Sequence, residues 1–209
     1  DAGALAAYRQ LFPDRRIIPV AGREILLGGG NVHCITQQVP VGRPGLAGLG
    51  LAQLQGKIEL PDPWSRLCVT ALEMPRPRVA LGQALVGVAS AAIDVSDGLL
   101  ADLGHIGERS GLAAAVYLVQ LPHLPRGATY DADLRRLALE CQLAGGDDYE
   151  LCFTTPPQQS NAVSAIAARL DLPLWCIGSM VEGRAGEVTV FDPDHNPVEF
   201  PQRGYDHFG

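Results

Sequence analysis

The chain has 209 residues, enough for one good core with a small appendage. It is 47% hydrophobic and 19% charged, a composition that predicts a soluble globular protein, and no apolar run is long enough to span a membrane. Sixteen basic against 23 acidic residues give a net charge of −7, which argues against a nucleic-acid surface and leaves small molecules as the expected partners.

No basic-then-apolar leader opens the sequence. The cysteines, Cys34, Cys68, Cys141, Cys152 and Cys176, are scattered and none has C-x-x-C spacing. Neither a zinc site nor a disulfide framework is indicated, so reduced thiols and a cytoplasmic location are expected.

In chain order, residues 4–11 suit a short helix ended by Pro13-Asp14. Residues 24–27 suit a strand running into the Gly28-Gly29-Gly30-Asn31 turn, and residues 32–39 alternate as a strand would. Pro40-Val41-Gly42-Arg43-Pro44-Gly45 breaks regular structure and marks the best boundary. Leu51, Leu54 and Ile58 fall at helical spacing, stopped by Pro61-Asp62-Pro63; residues 64–72 and 78–86 are further helices. A strand is predicted over 91–95, a helix from Leu99 closed by Ser110-Gly111, and a strand over 113–119. A helix over 133–140, a strand over 149–154 and a helix over 157–170 follow, then strands over 174–180, 187–191 and 198–200. This alternation points to a layered α/β domain, a mixed sheet with flanking helices.

The chemistry concentrates in Ala91-Ala92-Ile93-Asp94-Val95-Ser96-Asp97-Gly98-Leu99-Leu100, an apolar strand running into a helix. Asp94 and Asp97 are three apart across the turn, where both side chains can face one pocket. Hard oxygen ligands so placed suit Mg²⁺, which binds through one or two carboxylates plus substrate phosphates. Ser96 is a candidate N-cap, and free N–H groups at the helix start would favour a phosphate. The competing reading is an ordinary capped helix whose acids oppose the macrodipole.

Ala92-Ile93-Asp94-Val95-Ser96-Asp97-Gly98-Leu99-Leu100-Ala101-Asp102-Leu103, then Gly145-Gly146-Asp147-Asp148-Tyr149-Glu150-Leu151 and Gly204-Tyr205-Asp206-His207-Phe208, resemble thiamine-monophosphate kinase. The likeness runs from about Gly48 to the end and includes Pro75-Arg76-Pro77-Arg78-Val79-Ala80-Leu81-Gly82. It implies the C-terminal α/β domain of the aminoimidazole ribonucleotide synthetase superfamily. The implied activity is ATP-dependent phosphorylation of thiamine monophosphate to thiamine diphosphate, with a homodimer as a candidate assembly. On these motifs Asp94 and Asp97 would be Mg²⁺ ligands and Ser96 an ATP-phosphate contact. Asp147 and Tyr205 would hold the thiamine portion, and no side chain is given a catalytic role. Asp147 stands where the family usually has Glu, which keeps the charge and shortens the reach by one methylene.

Other polar residues have blander expectations. Asp102 reads as surface, Asp147-Asp148 as a turn that could simply be solvated, and Arg76 and Arg78 as a solvated linker. His105, His123, His195 and His207 lack evident partners.

Tyr8-Arg9-Gln10-Leu11-Phe12-Pro13 and Arg23-Glu24-Ile25-Leu26-Leu27-Gly28-Gly29-Gly30-Asn31-Val32-His33-Cys34 instead resemble the C-terminal end of agmatine deiminase. There the cysteine of Gly-Gly-Asn-x-His-Cys is the nucleophile, which corresponds to Cys34. Its thiolate needs partners that lie upstream in that family. The expected division is therefore a deiminase-tail-like segment, residues 1–42, and a kinase-like domain, residues 43–209. A gene fusion, an engineered chimera or a mis-drawn gene would each give such a junction. The kinase family's N-terminal domain, with further metal-binding aspartates, has no counterpart before Gly48, so the chain is expected to be inactive alone. The alternatives are a non-catalytic nucleotide or thiamine-phosphate binding module and, behind it, a cysteine-dependent agmatine deiminase fragment.

Overall fold

Seven strands make one mixed sheet in the computed structural model, which describes residues 34–38, 44–122 and 132–200. The strands are β1 (Cys34–Gln38), β2 (Ala91–Val95), β3 (Ala113–Tyr117), β4 (Glu150–Thr155), β5 (Leu174–Val181), β6 (Val188–Phe191) and β7 (Pro197–Val198). The helices are α1 (Leu46–Leu54), α2 (Trp64–Glu73), α3 (Val79–Ala84), α4 (Leu99–Ser110), α5 (Ala132–Ala144) and α6 (Ser160–Leu170). Sheet order is β2-β4-β1-β5-β3-β6-β7. Only β3 and β6 pair in parallel; the other neighbours are antiparallel.

The two-residue period of a strand explains why helices cover both faces. On β4, Cys152 points into a core with Val95, Leu99, Leu103, Val116 and Ile177, beneath α4. Its neighbour Phe153 points the other way, into Leu81, Leu85, Val163 and Ile166 from α3 and α6. Both β4 side chains are fully buried. A third cluster, Leu46, Leu49, Leu60, Cys68 and Ala138, joins α1, α2 and α5 beside the sheet. The fold is the expected layered α/β arrangement of a mixed sheet with flanking helices.

Element ends differ from the sequence reading for local reasons. The α1 helix starts at Leu46, earlier than Leu51, because Gly45 turns the chain in the left-handed region and Asp148 caps it from elsewhere. It stops at Leu54, leaving Ile58 in a loop that still packs on the third cluster. The turn at Pro157 is a 3₁₀ turn over Pro157–Gln159, and α6 proper begins at Ser160. Gly111 closes α4 in the left-handed conformation, as expected. The elements predicted over 4–11 and 24–27, and the Gly28–Asn31 turn, lie outside the described residues.

Strand β1, described by its backbone alone, comes from before the predicted boundary, yet it pairs with β4 on one side and β5 on the other. No helix among the described residues is long and apolar enough to cross a membrane.

Candidate functional site

Antiparallel pairing of β2 with β4 sets Asp94 opposite Leu151 and Val95 opposite Glu150. The chain leaving β2 and the chain entering β4 therefore run side by side. Two backbone bonds lace them: Asp147 N–H donates to Ser96 O at 2.9 Å and Tyr149 N–H to Val95 O at 2.9 Å. The approach is so close that a Cβ at Gly146 would lie 2.4 Å from Ser96 O. At the next turn Gly98 has φ 128°, and a Cβ there would lie 2.9 Å from the Ala144 carbonyl.

Asp147 (φ 66°) and Tyr149 (φ 50°) both adopt the left-handed region, which costs a non-glycine residue roughly 1–2 kcal/mol. Their side chains are exposed, while Glu150 is buried and Asp148 partly so. Ser96, Asp97, Asp147 and Tyr149 line one cavity of about 820 Å³, together with Ala47, Gly48 and Leu51 of α1 and Leu137 and Cys141 of α5. Lys57 is the only basic side chain among the described residues lining it.

Asp148 and Glu150 face a second, smaller cavity of about 110 Å³, shared with Arg76 and Arg78. Asp148 accepts N–H bonds from Gly45 at 2.5 Å and Ala47 at 3.2 Å, supplying the N-terminal cap that α1 lacks locally. Burial pushes its pKa up to about 7, against the two amides that favour the charged form. Glu150 takes a two-pronged bond from Arg78, Nε–Oε2 2.9 Å and a second guanidinium nitrogen to Oε1 at 2.6 Å. Burial raises its pKa and Arg78 opposes that rise.

Several sequence expectations are corrected here. Ser96 is not the N-cap; Gly98 occupies that position, with no side-chain cap. The amides of Ser96, Asp97 and Gly98 turn onto Asp102 Oδ2 at 2.9, 3.1 and 3.2 Å. Asp102 is not at the surface: it is 2% exposed, and burial raises its pKa despite these three donors. Arg78 is not a solvated linker residue, since its side chain is 11% exposed against Glu150. His105 has a surface partner in Glu108 at 3.3 Å, and His195 packs edge-on to Tyr117.

Asp94 lies on the exposed side of β2 and is not among the walls of the large cavity. Its charge nonetheless reaches Tyr149, whose hydroxyl pKa is raised first by Asp147 and further by Asp94 and Asp97. The Tyr149 hydroxyl donates to Asp147 Oδ1 at 3.4 Å. Sequence reasoning alone does not pick out Tyr149; its place between two acid-bearing turns follows from strand pairing. Tyr205 and His33 lie outside the described residues, and of Cys34 only the backbone is described.

Among the described residues no three His, Cys, Asp or Glu side chains gather to hold a metal ion. Asp97 and Asp147, two carboxylates in the wall of one cavity, still suit Mg²⁺ in their chemistry as hard oxygen donors. That ion needs only one or two protein carboxylates when phosphates and water complete its shell. The Cys141 thiol in the cavity wall is pushed up to about 12 by burial, which disfavours its thiolate.

Comparison with known proteins divides along the chain. Residues 1–40 match the Porphyromonas-type peptidyl-arginine deiminase family. A protein named an agmatine deiminase, from Latilactobacillus sakei, is 60% identical over 43 residues, 21% of this chain and 12% of that one. Thiamine-monophosphate kinase of Salmonella typhimurium is 41% identical over 172 residues, covering 80% of this chain and 50% of the relative. The crystal structure of thiamine-monophosphate kinase from Stenotrophomonas maltophilia superposes with a TM-score of 0.66 at 38% identity, over 80% of this chain and 52% of that one. A structure described as AaThiL complexed with AMPPCP and TMP gives a TM-score of 0.62 at 27% identity, over 87% and 53%. The chain spans about half the length of the kinases it matches. It is thus similar, over most of its length, to about half of a thiamine-monophosphate kinase, and over its first forty residues to the peptidyl-arginine and agmatine deiminases.

Proposed function

We propose that this chain carries one half of a site for ATP-dependent phosphorylation of thiamine monophosphate to thiamine diphosphate. The observation that carries the reading is the cavity shared by Ser96, Asp97 and Asp147. In this reading Asp94 and Asp97 hold Mg²⁺, Ser96 contacts an ATP phosphate, and Asp147 with Tyr205 engages the thiamine portion. The division into a deiminase-tail-like segment, residues 1–42, and a kinase-like domain, residues 43–209, belongs to the proposal as one of ancestry. So do a cytoplasmic location and a homodimer.

The chemistry asks little of the side chains beyond placement and charge. A terminal phosphate oxygen of thiamine monophosphate attacks the γ-phosphorus of ATP, the new O–P bond forms, and the β–γ bridging bond breaks with ADP leaving. That oxygen is already largely anionic at neutral pH, since the second pKa of a phosphate monoester is about 6. No protein base is required. The difficulty is electrostatic: two polyanions meet in an acid-lined cavity of a chain with net charge −7. Mg²⁺, when bound, inverts that local field and spreads the charge of the moving phosphoryl group. The chain's own acids fix the cation, and Asp147, in the wall of the same cavity, suits the cationic thiazolium.

The test is calorimetry of ATP, Mg²⁺ and thiamine monophosphate on the full chain, with product formation followed in parallel. Binding without product is expected, weakened by roughly 10-fold or more in Asp97→Asn, as is usual for a lost ligand or its supports. No binding, or binding untouched in Asp97→Asn, refutes the reading.

A further inference from the structure

Asp102 spends one carboxylate oxygen on three consecutive backbone donors, the N–H groups of Ser96, Asp97 and Gly98. Three amides converging on a point form a concavity that binds anions. Here the anion is built in, and it is nearly sealed from water at 2% exposed. The Gly98 bond is buried and the Ser96 and Asp97 bonds partly so, while Ser96 and Asp97 both line the cavity.

We propose that Asp102 is a positioning residue that turns the Ser96–Gly98 amides inward, so that the turn offers the cavity oxygens for a cation rather than amides for an anion. This rests on the reading of the cavity as a metal–nucleotide site and adds the residue that decides its polarity. The clamp works through geometry. A three-residue turn joining a strand to a helix has several arrangements, and one acceptor for all three donors leaves only those in which the amides point together. Gly98, at φ 128°, supplies the backbone conformation that permits it. Without the acceptor, the three donors would be left unpaired in the interior, and the turn would relax to satisfy them from the cavity side.

The experiment is a titration of the full chain with Mn²⁺–ATP, read by the signal of free Mn²⁺, beside hydrogen exchange at the Ser96, Asp97 and Gly98 amides. In Asp102→Ala the three amides should lose protection and Mn²⁺ binding should weaken roughly 10–100-fold, the usual effect of removing a partner that orients a ligand. Asp102→Asn keeps an acceptor oxygen in place and should bind Mn²⁺–ATP more tightly than Asp102→Ala, near the wild-type affinity. An unchanged Mn²⁺ affinity in Asp102→Ala overturns the proposal, as does an Asn variant as weak as Ala. Should Asp102→Ala fail to fold, Asp102→Glu decides. Its oxygen is displaced by one methylene, so lower Mn²⁺ affinity with shifted amides supports the clamp and unchanged affinity overturns it. Asp97→Asn distinguishes loss of the metal site from loss of the clamp. If wild type ignores Mn²⁺–ATP, or Asp97→Asn binds it equally well, the site reading fails and the clamp with it. If Asp97→Asn loses binding and Asp102→Ala does not, only the clamp fails.

Discussion

Asp148 should make this domain less stable as the pH rises through neutrality, and Asp148→Asn should remove that loss. Its carboxyl titrates at about 7 in the folded chain against an ordinary value of 3.8, because burial penalises the charge more than two amides reward it. Between those values the folded chain holds a proton that the unfolded chain has released. Stability from this group is thus fully present below about pH 4 and declines as pH rises through 7. Each pH unit in the window is worth about 1.4 kcal/mol for a fully differential proton, so going from about pH 5 to 7 should cost about 2–3 kcal/mol. The single carbonyl oxygen of Asn can replace one of the two acceptors, for Gly45 or for Ala47, while carrying no charge. Urea unfolding followed by the fluorescence of Trp64 and Trp175, at several pH values between about 5 and 8, measures this. Burial also raises Asp102 and Glu150, so both proteins share a residual slope, and the difference between them isolates Asp148. Parallel profiles for wild type and variant would refute the reasoning.

Two further predictions concern the frame of the site. Gly98→Ala combines a backbone conformation open almost only to glycine with a Cβ 2.9 Å from the Ala144 carbonyl, and should cost about 2–5 kcal/mol in unfolding free energy. Arg78→Met leaves Glu150 buried without its partner and should cost about 3–5 kcal/mol, while the double change Arg78→Met with Glu150→Leu should recover most of it in the same urea assay.

What is readable in the sequence is local. The strand at 91–95, the helix from Leu99 and its glycine stop follow from periodicity and capping within a dozen residues. The grouping of Ser96, Asp97 and Asp147 follows from motif resemblance rather than from spacing. The partners of buried charge stay hidden because they are distant in sequence. Asp148 caps a helix 103 positions away and Arg78 meets Glu150 across 72. Asp102 offers a nearer signal, a carboxylate four residues after a glycine N-cap, but an acid in a first helical turn is usually solvated. The left-handed backbone at Asp147 and Tyr149, which separates the outward pair from Asp148 and Glu150, has no sequence signature, since neither residue is glycine.

The most direct test of the central claim is paramagnetic broadening of backbone amide resonances by Mn²⁺–ATP on the full chain. Amides of residues 94–98 and 145–149 should broaden first, and Asp97→Asn should suppress the effect. Broadening centred instead on the cavity around Glu187, Thr189 and Glu199, or spread evenly over the surface, would contradict it.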